Sequence, residues 1–159
     1  RGAAIVRGIT GRDFASLKGT ADGRPLTAGE RFYLSDGVTG IRGEAERGFP
    51  SVTGTGLPSL RSSLAKGLSL NDAMVDGLLA LMTVVEDTNI LSRGGREGER
   101  IVRENAVYAL ELGGMGSKEG KGAVREMNGL FTRCNLSPGG SADLLAVTVF
   151  LHLLTPASG

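Results

Sequence analysis

A chain of 159 residues is long enough for one domain with a sizeable buried core, and 40% of its residues are hydrophobic. Only 4% are aromatic, so that core has to be built from Leu, Val, Ile, Ala and Met. Eighteen Lys and Arg against 17 Asp and Glu leave no basic footprint for nucleic acid or a membrane surface, and the single cysteine excludes an internal disulfide and fits a reducing cytoplasm.

In chain order, Arg1 to Gly8 reads as the last turns of a helix and Ile9 to Leu26 as a polar, Gly-rich stretch. Thr27 with Glu30 makes a capping box that opens a short helix to about Leu34. The segment Asp36 to Gly56 reads as a loop carrying the charged run RGEAERGFP, Arg42 to Pro50. Gly67 stops a helix over Leu57 to Lys66, and Ser69 with Asp72 caps the next, Leu70 to about Glu86, which aligns Met74, Leu78, Leu81 and Val85 on one face. The cluster DTNILSRGG, Asp87 to Gly95, then falls at the C-terminal end of that helix, where open carbonyls and the negative dipole end favour a cation. Asp87 and Asn89 offer the oxygen ligands magnesium takes, with Arg93 as a phosphate clamp.

A helix over Arg96 to Leu112 is expected to turn Ile101, Tyr108 and Leu112 inward and to expose the charges of REGER, Arg96 to Arg100. Gly113 to Gly122 reads as a flexible connection and Ala123 to Arg133 as a shorter helix. The segment NLSPGGSADLLA, Asn135 to Ala146, is the most informative. Ser137 suits an N-cap and Pro138 a first helical position, so Gly139, Gly140 and Ser141 offer amides at the positive end of a helix dipole, with the Asp143 carboxylate one turn further in. Leu144 to Leu154 is apolar on nearly every face, which argues for burial. A cation site ending one helix and an anion site opening another suit a magnesium–triphosphate; the alternative is an ordinary loop-to-helix junction with a solvated acid.

The remaining groups weigh less. Glu44 and Glu46 beside Arg42 form either a ribose or second-magnesium site or an internal ion pair with Arg42 or Arg47. His152 has no ligand partner at i±4 and reads as a hydrogen-bonded core or boundary histidine, and Cys134 as packing. No apolar run reaches the roughly 20 residues that span a bilayer. No segment alternates as a strand, so the expected fold is all-α, one multi-helix bundle over 1–159 with function in Gly-rich loops.

RGEAERGFP, GLPSL (Gly56 to Leu60), EDTNILSRGG (Glu86 to Gly95) and NLSPGGSADLLA, in this order and spacing, resemble the triphosphoribosyl-dephospho-CoA synthase family, whose members include the citrate-lyase and malonate-decarboxylase prosthetic-group enzymes. The similarity runs from about Arg7 to Leu154. Members of that family are about twice as long and carry an Asn-Thr-His-Lys-Gly motif absent here, so the chain resembles the C-terminal half, with the N-terminal half of the same enzyme as its partner. The resemblance implies that ATP and 3′-dephospho-CoA react with loss of adenine, placing a triphosphoribosyl group on the acceptor's 2′-hydroxyl.

It further implies catalytic work for Asp87, Asp143 and Glu44, magnesium at Asp87, Asp143 and Glu46, and substrate or phosphate contacts for Arg42, Asn89, Arg93, Asn135, Ser137, Gly139, Gly140 and Ser141. Which carboxylate is the base stays open. Two other classes compete: a nucleotide- or partner-binding helical module without turnover, and a magnesium-dependent nucleotide or ADP-ribose hydrolase. A half-length chain is expected to bind magnesium–ATP weakly and to expose an apolar groove that invites homo-oligomers.

Overall fold

Local capping signals set most of the boundaries in the computed structural model, which describes residues 26–154. Seven α-helices and no strand occur among the described residues: α1 Ala28–Asp36, α2 Gly40–Glu46, α3 Leu57–Ala65, α4 Leu70–Val84, α5 Thr88–Glu111, α6 Lys118–Arg133 and α7 Gly139–Leu154. The all-α expectation therefore holds. The expected helix end at Arg1 to Gly8 and the Gly-rich stretch up to Pro25 lie outside the described residues. Thr27 and Glu30 form the reciprocal box that opens α1, and Ser69 accepts from the Asp72 amide at 3.1 Å to open α4.

Helix α4 is the axis of the molecule because its apolar residues, Leu79 and Met82 among them, are spread over more than one side and are buried on two. Leu79 and Met82 face α5 and α6, where Val102, Ala106, Ala109, Met127 and Phe131 complete one core. Leu81 and Val85 face the other way, toward Val52 and Leu144 of α7. Each fully buried leucine contributes about 1.5–3 kcal/mol. The residues expected on one face divide between the two cores, Leu78 packing with the first and Leu81 and Val85 with the second.

Four sequence readings are corrected. Asp36 to Gly56 is not a loop: it holds α2 and a single π-helical turn, Val52–Gly56, that runs into α3. The reason is tertiary, since Val38 and Val52 are fully buried and the Glu44 carboxylate accepts from both the Ser51 amide and hydroxyl. Gly113 to Gly122 is not a flexible link either. A 3-10 turn, Gly114–Gly116, is pinned where the Met115 amide donates to the buried Asp76 at 2.7 Å, and Ser117 caps α6 at Lys118. Tyr108 points to solvent, whereas Ile101 and Leu112 do pack against the core beside Val102, Ala106 and Ala109. Finally, α7 is not enclosed: Leu144 and Thr148 are buried, but Phe150, Leu153 and Leu154 are more than half exposed.

Candidate functional site

Asp87 decides how the two informative segments meet. Rather than ending α4, it stands three residues beyond that helix and is the N-cap of α5, its carboxylate accepting the Asn89 amide at 3.0 Å. Its other oxygen accepts the Ser141 amide at 2.8 Å and lies 3.3 Å from the Ser141 hydroxyl that donates to it. One carboxylate therefore sits at the positive ends of two helices, α5 and α7, at 1% exposure. The anion expected at the start of α7 is, at Ser141, the protein's own. Gly140 makes this approach possible: a Cβ there would stand 3.0 Å from the Asp87 carboxylate.

The same turn holds the other residues of the two segments together. Helix α7 begins at Gly139 rather than at Pro138, whose carbonyl accepts the Ala142 amide at 2.9 Å. The Asn89 amide group lies against Gly139 closely enough that a side chain there would strike it. Arg93 donates to the Asn135 side chain at 3.3 Å, and Asn135 takes the left-handed conformation that asparagine tolerates, φ 51°. Both of these are exposed, and Ser137 lies half-buried on the side facing α4 and α6. The two segments thus pack against each other.

Beside this junction lies a cavity of about 220 Å³ between α1, α2 and the first turns of α5 and α7, lined in part by Glu30, Arg42, Thr88, Asn89 and Asp143. Asp143 is exposed at its rim. Arg42 stands 3.8 Å from Glu30 and 4.0 Å from Glu46. Of the two glutamates of α2, Glu44 is turned away: its carboxylate is buried, bonded to Ser51 and 3.7 Å from Arg47. Glu44 ties α2 to the π turn, whereas Glu30, seen in the sequence only as a capping residue, belongs to the cavity wall. Among the described residues no three His, Cys, Asp or Glu side chains gather to hold a metal. One further expectation is overturned, since Cys134, just past the last residue of α6, is exposed rather than packed. His152 is the half-buried boundary residue expected, but its Nδ1 has no hydrogen-bond partner on the apolar helix α7.

A family profile described as ATP:dephospho-CoA triphosphoribosyl transferase matches residues 3–159. A probable 2-(5''-triphosphoribosyl)-3'-dephosphocoenzyme-A synthase of Azotobacter vinelandii is 46% identical over 136 residues, which is 86% of this chain and 47% of that protein. A protein of the same description from Lactiplantibacillus plantarum is 43% identical over 159 residues, 96% of this chain and 55% of that protein. The chain thus spans about half the length of these relatives. No solved structure matches it.

Proposed function

Because the chain belongs to the ATP:dephospho-CoA triphosphoribosyl transferase family, we propose that the cavity beside Asp143 receives the magnesium–triphosphate of ATP, in an enzyme that moves the triphosphoribosyl group to 3′-dephospho-CoA. The supporting observation is the company in that cavity: a guanidinium, an asparagine amide, a threonine hydroxyl and a rim carboxylate, drawn from three helices. Arg42 supplies positive charge to the phosphates, with Asn89 and Thr88 as hydrogen-bond partners. Arg93 and Asn135 stand at the outer edge of the junction, within reach of a longer substrate.

The reaction breaks the bond between the ribose C1′ and adenine and forms one from C1′ to the acceptor's 2′-oxygen. Positive charge that builds on the ribose as adenine departs is stabilised by a nearby carboxylate, and a carboxylate accepts the hydroxyl proton that adenine finally carries away. On this reading Asp143, at the rim of the cavity, takes that role, as base or as ligand of magnesium. Magnesium sits in such sites on one or two carboxylates together with the substrate's phosphates, so a cage of three is not required. Bound there, it would offset the triphosphate's charge. The product class is the prosthetic-group precursor of citrate lyase or malonate decarboxylase.

Incubation with ATP, magnesium and dephospho-CoA, followed by chromatography for adenine and mass spectrometry of the product, tests this. Adenine released only when both substrates are present is the expected result. Release from ATP alone would make the protein a hydrolase, and binding without release would make it a nucleotide-binding module.

A further inference from the structure

Glu30 does more than its place in a capping box calls for. A glutamate at the third helical position of an N-terminus ordinarily stands in water, and a buried one needs a charged partner. Here the side chain is 3% exposed. One oxygen accepts the Thr27 amide at 2.9 Å, closing the box, while the other lies 3.8 Å from Nη1 of Arg42. Glu46, one turn along α2 from Arg42, reaches its Nε side at 4.0 Å. A planar guanidinium approached along two edges by carboxylates from two helices is fixed in direction. That direction is along the wall of the 220 Å³ cavity, which both Glu30 and Arg42 line.

We propose that Glu30 is a positioning residue: held by the Thr27 cap, it sets the Arg42 guanidinium in the orientation that receives a triphosphate. The assignment rests on the triphosphate reading of the cavity. It deepens that reading, because pre-organising a long side chain removes the ordering cost that binding would otherwise carry. It also makes the loop-to-helix junction at Thr27 part of the binding apparatus.

Glu30→Gln separates the two jobs, since glutamine still closes a capping box but carries no charge toward Arg42. Titration of the 159-residue chain with magnesium tripolyphosphate and with magnesium–ATP, followed by NMR, should show about tenfold weaker binding of both by Glu30→Gln. In an Arg42→Ala background the same substitution should change nothing further. Ser69→Ala, which removes the cap of α4 away from the cavity, should lower the melting temperature and leave both affinities alone, so that lost stability is told apart from lost positioning. Tighter binding by Glu30→Gln would mean that Glu30 only competes with the phosphates for Arg42, and would overturn the proposal. Unchanged binding, or an equal loss in the Arg42→Ala background, would overturn it as well. If the unsubstituted chain binds neither anion, the triphosphate reading falls with it; if it binds both and Glu30→Gln behaves as the unsubstituted chain, only the role of Glu30 is lost.

Discussion

Asp87 and Asp143, equal candidates by residue type, have different work. Asp87 accepts two backbone amides from two helix starts, and an amide in its place could accept from one only while turning an N–H₂ toward the other donor. Asp87→Asn should therefore cost about 2–4 kcal/mol of folding stability, measured by urea denaturation. An unchanged midpoint would show that the link between α5 and α7 is dispensable. Asp143, exposed in the first turn of α7, should behave oppositely. Its near-isosteric change to Asn should leave melting nearly unaltered and abolish adenine release in an active, full-length setting. Normal turnover would remove it from the site, and loss of folding together with activity would make it a structural cap.

Helices α4 and α5 show how burial and charge divide between elements. Leu81 is fully buried between α4 and α7, so Leu81→Ala should cost about 2–5 kcal/mol, with the larger values if the cavity cannot collapse. The outer face of α5 is a ladder of exposed pairs in which Arg100 donates to both Glu97 and Glu104. The hydrogen bond from Arg100 holds the Glu97 carboxyl below its usual range. A carboxyl whose pKa is lowered on folding adds stability above its unfolded value, and the increment is lost as pH falls through the lowered folded value. Comparing the melting of Glu97→Gln with the unsubstituted chain should thus show a small difference near neutrality that vanishes in acid. Because both side chains are exposed, high salt should erase it too. A salt-independent difference would mean that Glu97 acts by packing instead.

At the scale of the whole molecule, two stretches of bare apolar surface stand out among the described residues. Phe150, Leu153 and Leu154 form a stripe along the end of α7, and an apolar groove of about 390 Å³ runs between α4 and α6, lined by Leu78, Met82, Met127 and Phe131. Such patches drive association in water. Phe150→Lys with Leu153→Lys should therefore shift sedimentation toward the monomer while changing stability by no more than about 0.5 kcal/mol per site. A large loss of stability would mean that the stripe is packed in solution. No helix among the described residues is long and apolar enough to cross a membrane.

Much of this architecture is legible in the sequence because it is written in local chemistry. Thr27 with Glu30 and Ser69 with Asp72 open helices where their side chains can reach a nearby amide, and Gly67 ends one with a left-handed residue, whatever the rest of the chain does. The apolar run of α4 likewise requires burial wherever it lies. The short helix α2 and the pinned turn at Gly114–Gly116 carry no comparable local signal; they exist because Val38 and Val52 are buried in the core and the Asp76 carboxylate holds Met115 across the fold, while Asp87, a local cap at the start of α5, gives its second oxygen to the distant Ser141. The site follows the same division. The residue types that suit a phosphate and a cation stand in the sequence, but the partner each one keeps is set by distances across the fold. Thus Asp87, 54 positions from Ser141, became a link between two helices, and Glu30, in sequence only a cap, came to stand beside Arg42.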